Sequence, residues 1–260
     1  MTECKFPIFE PGECQADAMK NETDSENPVS SGVSAPIDLE FSHKYDTNHA
    51  QDYFFKHRSS LARRLSNWRE IGIARQVLAL AGNPLSVLDL PCGAGRFWPM
   101  LLEHPKRHLI AADNSQAMLD VALKFQAGDQ GARIQTLKTS AFAIDLPDDA
   151  VECVFCMRLL HHIGDYLHRQ AMLREFHRVT RKSLVVSLWV DGNYKAWKRK
   201  RREARKCRKV GAYQNRFVIG RREIESEFSQ VGFEIVGWRD FLPGYAMWRV
   251  YILRKQVYDD

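Results

Sequence analysis

The residues with types and spacing best suited to chemistry stand in Val87-Leu88-Asp89-Leu90-Pro91-Cys92-Gly93-Ala94-Gly95-Arg96, an aliphatic run that closes on an acid and two glycines. A strand that enters a tight glycine turn and then a helix lets backbone amides approach a ligand at the carboxyl edge of a parallel sheet, because no side chain intervenes. A Gly-x-Gly turn alone is weak evidence, since many such turns only save space. Asp113 strengthens it: it follows Asp89 by 24 residues, at the end of the next aliphatic run. There a carboxylate can accept both hydroxyl hydrogens of a ribose. Loop and acid in register predict a crevice for a nucleotide-like cofactor. A nicotinamide dinucleotide fits less well, because its fingerprint needs a third small residue where Arg96, Phe97 and Trp98 stand.

Three other groups invite chemical readings. Cys153-x-x-Cys156 has a metal-ligand spacing, but residues three apart on a strand face opposite ways, so core packing is the better account. Cys92 reads as a small buried residue of the glycine loop rather than a nucleophile. His161 and His162, followed by Asp165 and Tyr166, could assist loss of a proton from an acceptor. The favoured reading of the two histidines is structural, one closing the fourth strand and the other packing in the loop.

These residues need elements to position them. The order of strand and helix predicts strands at 86–90, 108–112, 133–137, 151–157 and 184–190, alternating with helices at 96–103, 115–125 and 166–179. Ser66 reads as the cap of a helix that Gly82-Asn83-Pro84 ends, and Ser115 as the cap of a second. A helix at 222–230 and strands at 233–240 and 245–253, around Pro243-Gly244, close the chain. The expected fold is α/β, a Rossmann-like, mostly parallel sheet with an antiparallel edge strand and helices on both faces.

The 260 residues suffice for one well-buried domain, and 45% hydrophobic with 27% charged residues is ordinary for a globular protein. No apolar run reaches the length of a membrane span, and the acidic start lacks the basic and apolar regions of a signal peptide, so a cytoplasmic location is expected. Six scattered cysteines suit reduced thiols. Residues 1–37, rich in Pro, Gly, Ser and acids, read as a mobile acidic lead segment. Residues 38–260 read as the domain, with an N-terminal helical lid at about 41–81 and a basic insertion at about 191–222.

Taken together, Asp89 to Gly95, Ala112-Asp113-Asn114-Ser115-Gln116-Ala117-Met118-Leu119, and Leu146-Pro147 followed by Val151 to Ile163, a fourth strand and the loop after it ending in Leu160-His161-His162-Ile163, resemble the class I S-adenosyl-L-methionine-dependent methyltransferases. The resemblance covers roughly residues 60–190. It implies that Gly93 and Gly95, with Cys92, hold the methionine part of the cofactor and that Asp89 organises their loop. It also implies that Asp113, with Asn114, holds the ribose, and that Met157 and Arg158 line the channel near the sulfonium. Ser140, followed by Ala141, stands where the family often has an acid for the adenine amino group, and a hydroxyl accepts that hydrogen bond more weakly. Tyr45 resembles an aromatic of the family's flexible N-terminal lids, with simple packing as the alternative.

The acceptor is read from charge. Lys195 to Lys209 holds ten Lys or Arg residues and only Glu203 as an acid, too lopsided for an ordinary solvated face. Lys195, Lys198, Arg199, Lys200, Arg201 and Arg202 are the expected contacts to an anionic macromolecule. An acidic protein presenting a lysine, such as a translation factor, is favoured by analogy. RNA, a phosphorylated lipid or saccharide, a small molecule, and a non-enzymatic cofactor-binding scaffold stay open. Oligomeric state is not legible.

Overall fold

The computed structural model describes residues 61–206 and 215–256, and of residues 204–206 the backbone alone. The lead segment 1–37, Tyr45 with the lid segment up to residue 60, and insertion residues 207–214 lie outside the described residues.

Helix α1 (Leu61–Leu80) opens the described chain. It runs through Ser66, which is therefore an internal helical residue and not the expected cap. The helix ends as expected at Gly82 and Asn83, both at positive φ, with the Asn83 amide reaching back 2.9 Å to the Leu78 carbonyl. Strand β1 (Ser86–Asp89) follows, then the glycine loop and a four-residue helix α2 (Trp98–Leu101). The expected helix over 96–103 is shortened because Pro99 has no N–H to return to Gly95, so regular helical bonding starts only in the turn that contains it.

Strand β2 (His108–Asp113) leads to α3 (Gln116–Gln126), whose first turn is capped by Ser115 Oγ accepting from the Met118 amide. Strands β3 (Ile134–Lys138) and β4 (Val151–Cys156) precede α4 (Tyr166–Val179) and β5 (Thr180–Trp189). The basic helix α5 (Tyr194–Lys206), α6 (Arg221–Gln230), β6 (Phe233–Asp240) and β7 (Trp248–Lys255) complete the described elements.

The seven strands lie in the order β3-β2-β1-β4-β5-β7-β6. The first five pair in parallel. The antiparallel pairing expected at the closing edge is made by β7, which is inserted between β5 and β6 and runs antiparallel to both.

Alternation along the central strands fills two cores. Leu88, Val154, Cys156, Leu184 and Val186 pack on one face with Met172, Phe176 and Phe228 of α4 and α6. Val87, Cys153, Phe155 and Val185 pack on the other with Ile73 and Val77 of α1, Trp98, and Leu119 of α3. Each fully buried large apolar side chain contributes about 1.5–3 kcal/mol. Cys153 and Cys156 fall in different cores, as the strand period requires, and no metal-binding cluster occurs among the described residues. With the central strands β1, β4 and β5 buried on both faces, ligands are left the carboxyl edge.

Candidate active site at the carboxyl edge of the sheet

Asp113, at the end of β2, is the organiser of this edge. Its Oδ2 accepts the Gly93 amide at 3.0 Å and its Oδ1 accepts the Ser115 amide at 3.0 Å, while its carbonyl accepts the Thr139 amide at 3.1 Å. One residue thus fixes the glycine loop, the start of α3 and the segment after β3. Burial pushes its carboxyl above the usual range, against the amides of Ser115, Gly93 and Asn114, which favour the ionised form.

Beneath the loop Asp89 is fully buried, with the Trp98 indole as its hydrogen-bonding neighbour. Burial and the neighbouring Asp113 push its carboxyl well above the usual range. Of the two acids at this loop, Asp113 lies nearer the ligand's side, and the wholly buried Asp89 supports the loop from beneath.

The two glycines answer different demands. Gly93 (φ +52) has nothing within 4 Å of where a Cβ would stand, so its face of the loop is open. A Cβ on Gly95 (φ +71) would meet Trp98 Cδ2 at 2.9 Å and Ala122 at 3.1 Å, so this glycine lets the loop close onto α2 and α3. Gly93→Ala is therefore expected to remove ligand binding while costing about 1–2 kcal/mol in backbone strain. Gly95→Ala adds overpacking of about 1–3 kcal/mol and should show the larger fall in Tm. Thermal melts and ligand titration of the two variants together check the contrast.

Other expected site residues take definite places. Cys92 is buried in the loop with its thiol pushed well up by burial and by Asp89 and Asp113, which suits a packing residue. Ser140 Oγ accepts the Phe142 amide at 3.2 Å, and Ala141 is buried beside it. Met157 is buried directly after β4. Arg158, at φ +67, donates its amide to Ser187 Oγ at 2.8 Å. Asp165 caps α4 by accepting the His168 amide, and the Tyr166 hydroxyl donates to Gln230, so both have structural work.

Glu70 is the residue that sequence reasoning missed. It lies buried on α1, where Arg158 reaches it with two hydrogen bonds (2.8 and 2.5 Å) and Arg96 with a third (2.5 Å). Arg96 also donates to Asn67 at 2.6 Å. A helix is thereby tied to both the glycine loop and the loop after β4. Burial opposes ionisation of Glu70, but the two guanidinium groups outweigh it and hold its carboxyl below the usual range. The only hint in the sequence is an acid at the helical spacing of Ile73, Ala74 and Val77.

His161 packs against Trp248 (4.7 Å between ring centroids), Trp189 (4.9 Å) and His162 (4.1 Å). Burial first, then His162 and the nearby arginines, hold it down to about 2, so it stays neutral at working pH. His162 Nδ1 lies 2.5 Å from the Asn215 carbonyl oxygen and so carries the proton in the neutral ring, leaving Nε2 as the acceptor. A histidine whose folded pKa is depressed adds stability above the unfolded value of about 6.5, and that stability is lost as the pH falls below it. Chemical denaturation between pH 7.5 and 5.5 should show declining stability, with a shallower decline in His161→Phe.

The insertion is held at this same edge. Asn193 caps α5, the amides of Tyr194 and Lys195 donate to the carbonyls of Gly244 and Tyr245, and after the insertion Phe217 N–H donates to the His161 carbonyl at 2.8 Å. Of the expected basic contacts, Arg199 turns inward, pairing with Glu203 and covering the Trp189 ring, whereas Lys195, Lys198, Lys200, Arg201 and Arg202 are exposed.

Residues 87–183 match the family described as "Methyltransferase domain". An uncharacterized methyltransferase-like protein of Schizosaccharomyces pombe is 28% identical over 102 residues, 39% of this chain and 36% of that protein. The chain thus aligns with little more than a third of that curated relative. Magnesium protoporphyrin IX methyltransferase from Synechocystis PCC 6803, solved with bound SAH, superposes with a TM-score of 0.61 at 14% identity, over 81% of this chain and 100% of that one. An O-methyltransferase family protein from Burkholderia thailandensis gives 0.62 at 16% identity, over 82% and 61%. At these identities the structural likeness speaks for the fold. The match over residues 87–183 is to a methyltransferase domain, and the fold around it is the Rossmann-like one of these solved methyltransferases. No helix among the described residues is long and apolar enough to cross a membrane.

Proposed function

We propose that the chain is an active methyltransferase that takes its methyl group from S-adenosyl-L-methionine and delivers it to an anionic macromolecule docked on α5. The observation that carries the donor half is the pair Asp113 and Gly93: a buried carboxylate holding a backbone amide at 3.0 Å beside an open glycine face. These residues fit the group. Asp113 retains acceptor capacity for ribose hydroxyls, the open side of Gly93 admits the methionine part, and the buried Asp89 supports the loop from beneath. Asn114, Ser140 and Ala141 complete the adenosine side, and Met157 with Arg158 the sulfonium side.

Bound S-adenosyl-L-methionine supplies a methyl carbon already activated on a sulfonium, so the protein's task is alignment and exclusion of water. His162, whose Nε2 is the acceptor nitrogen of the neutral ring, is the candidate to take a proton after β4, and neutral His161 keeps the wall apolar. The domain we propose spans 38–260, with Tyr45 in a lid at 41–81, the insertion at 191–222 delivering the acceptor, and residues 1–37 as an acidic lead segment.

Charge supports the acceptor half, and on charge alone a lysine of an acidic cytoplasmic protein such as a translation factor suits α5. RNA suits it equally by charge, and the arrangement of exposed rings on this helix favours that second reading.

Calorimetric titration of the full chain with S-adenosyl-L-methionine, with NAD as control, tests the donor. Transfer of labelled methyl into cell extract, followed by protease or nuclease, then classifies the acceptor. Absence of donor binding would leave a non-enzymatic scaffold. Replacing Lys198, Arg201 and Arg202 by Gln should raise the acceptor KM and flatten its salt dependence while donor affinity is unchanged. Equal loss of both affinities would defeat the division of labour.

A further inference from the structure

We propose that the outward face of α5 and the turn before β7 form a stacking platform for single-stranded nucleic acid, which would make RNA or DNA the acceptor's class. The inference deepens the proposed function and rests on it only for the methyl transfer, not for the binding.

Five side chains form a continuous ladder. Tyr245 stacks on Tyr194 with centroids 5.7 Å apart and planes within 11°, and Tyr194 meets Trp197 at 5.9 Å and 33°. Lys195 covers Tyr245 at 5.0 Å, and Arg201 covers Trp197 at 4.8 Å. The three rings are 47–53% exposed, so water reaches about half of each. Beside the ladder a groove of about 690 Å³ is walled by Tyr194 and Trp197 and edged by Lys200 and Asp191.

Charge complementarity sets the sign of the occupant. Lys195, Lys198, Arg201 and Arg202 make no ion pair among the described residues, and Lys200 reaches Asp191 only at 3.9 Å. Uncompensated cations one helical turn apart repel one another until an anion spans them. The rings then select among polyanions. An acidic protein surface would satisfy the charges without needing three exposed rings in line. A bilayer would need aliphatic depth, and between Tyr194 and Lys206 the only aliphatic side chains are alanines.

Single-stranded nucleic acid uses both features. Stacking of a base on an aromatic ring is worth about 1–3 kcal/mol, more than the roughly 0.5–1 kcal/mol of an exposed cation–π contact. A base can therefore displace Lys195 or Arg201 from its ring, and the released cation is within reach of the next phosphate. The platform is also joined to the catalytic edge. Arg199 of the same helix lies over Trp189, which packs on His161.

The test is fluorescence anisotropy of the full chain with a labelled 12-nucleotide single strand, an abasic strand of equal length and polyglutamate, at several salt concentrations. The wild type should bind the base-bearing strand at least about tenfold more tightly than the abasic strand. Trp197→Ala should remove most of that difference with the salt slope unchanged. The pair Lys198→Gln and Arg201→Gln should instead lower the slope of log K against log salt by about 0.7 for each lost phosphate contact. Equal affinity for abasic strand or polyglutamate, or an unaffected Trp197→Ala, overturns the platform and returns the acceptor to an acidic protein. Donor titration of the same samples separates the two claims: strand binding without donor binding sinks the enzyme and keeps the platform.

Discussion

Asp113→Asn should lower the affinity for S-adenosyl-L-methionine by at least about a hundredfold while the sheet stays folded. The replacement keeps the shape of the side chain but exchanges one acceptor oxygen for an NH2 group. Both oxygens already accept backbone amides, from Gly93 and Ser115, so the new donor must face one of these N–H groups. The charge that would receive the ribose hydroxyls is lost as well. Hydrogen bonds to a charged group are worth about 1.5–3 kcal/mol each, so the loss of two predicts about two to four orders of magnitude in affinity. Calorimetry reads the affinity, and far-ultraviolet circular dichroism checks that the strands persist. Because burial holds Asp113 above the usual carboxylate range, wild-type binding should weaken on acidification earlier than a surface carboxylate would allow. Unchanged binding in Asp113→Asn would remove the ribose from this carboxylate.

The parts of this site legible in the sequence are those fixed by local rules. A strand, a glycine turn and a second strand ending in an acid are each written in a few consecutive residues, so Asp89, Gly93 and Asp113 could be named before their contacts were known. The two cysteines on β4 were equally legible, because alternation along a strand is invariant. Ser66 and the 96–103 helix misled for a local reason: a serine at a plausible cap position and a helical composition were read without the upstream turn of α1 and without the missing N–H of Pro99. Gly95 was identified as a loop residue, but its packing role depends on Trp98 and Ala122, of which Ala122 comes from another element. The ring ladder on α5 needed Tyr245, which stands about fifty residues from Tyr194 in sequence and meets it only through the turn before β7. Tertiary pairs of this kind have no signature in spacing.

Glu70 is the extreme case, because its meaning lies wholly in two arginines 26 and 88 residues away. Glu70→Ala should destabilise the fold by about 3 kcal/mol, the lower end of the range for breaking a buried pair. The lower end applies because the Arg158 side chain is 30% exposed and can turn to water, whereas Arg96 at 13% cannot do so as freely. For a chain of this size that corresponds to a fall in Tm of about 6–12 °C. The stability that Glu70 contributes is complete above its unfolded pKa, about 4.3, and disappears as the pH drops through its lower folded value. The difference between wild type and variant should accordingly be constant from pH 5 to 8 and close below about pH 4. Glu70→Gln separates structure from positioning. It keeps an acceptor for Arg158 but loses the charge, so it should cost less stability, yet still loosen the glycine loop through Arg96 and weaken binding of S-adenosyl-L-methionine. A variant that melts lower but binds the donor as tightly as wild type would restrict Glu70 to holding α1 in place, and the glycine loop would then owe its alignment to Asp113 and the loop after β4 to Ser187.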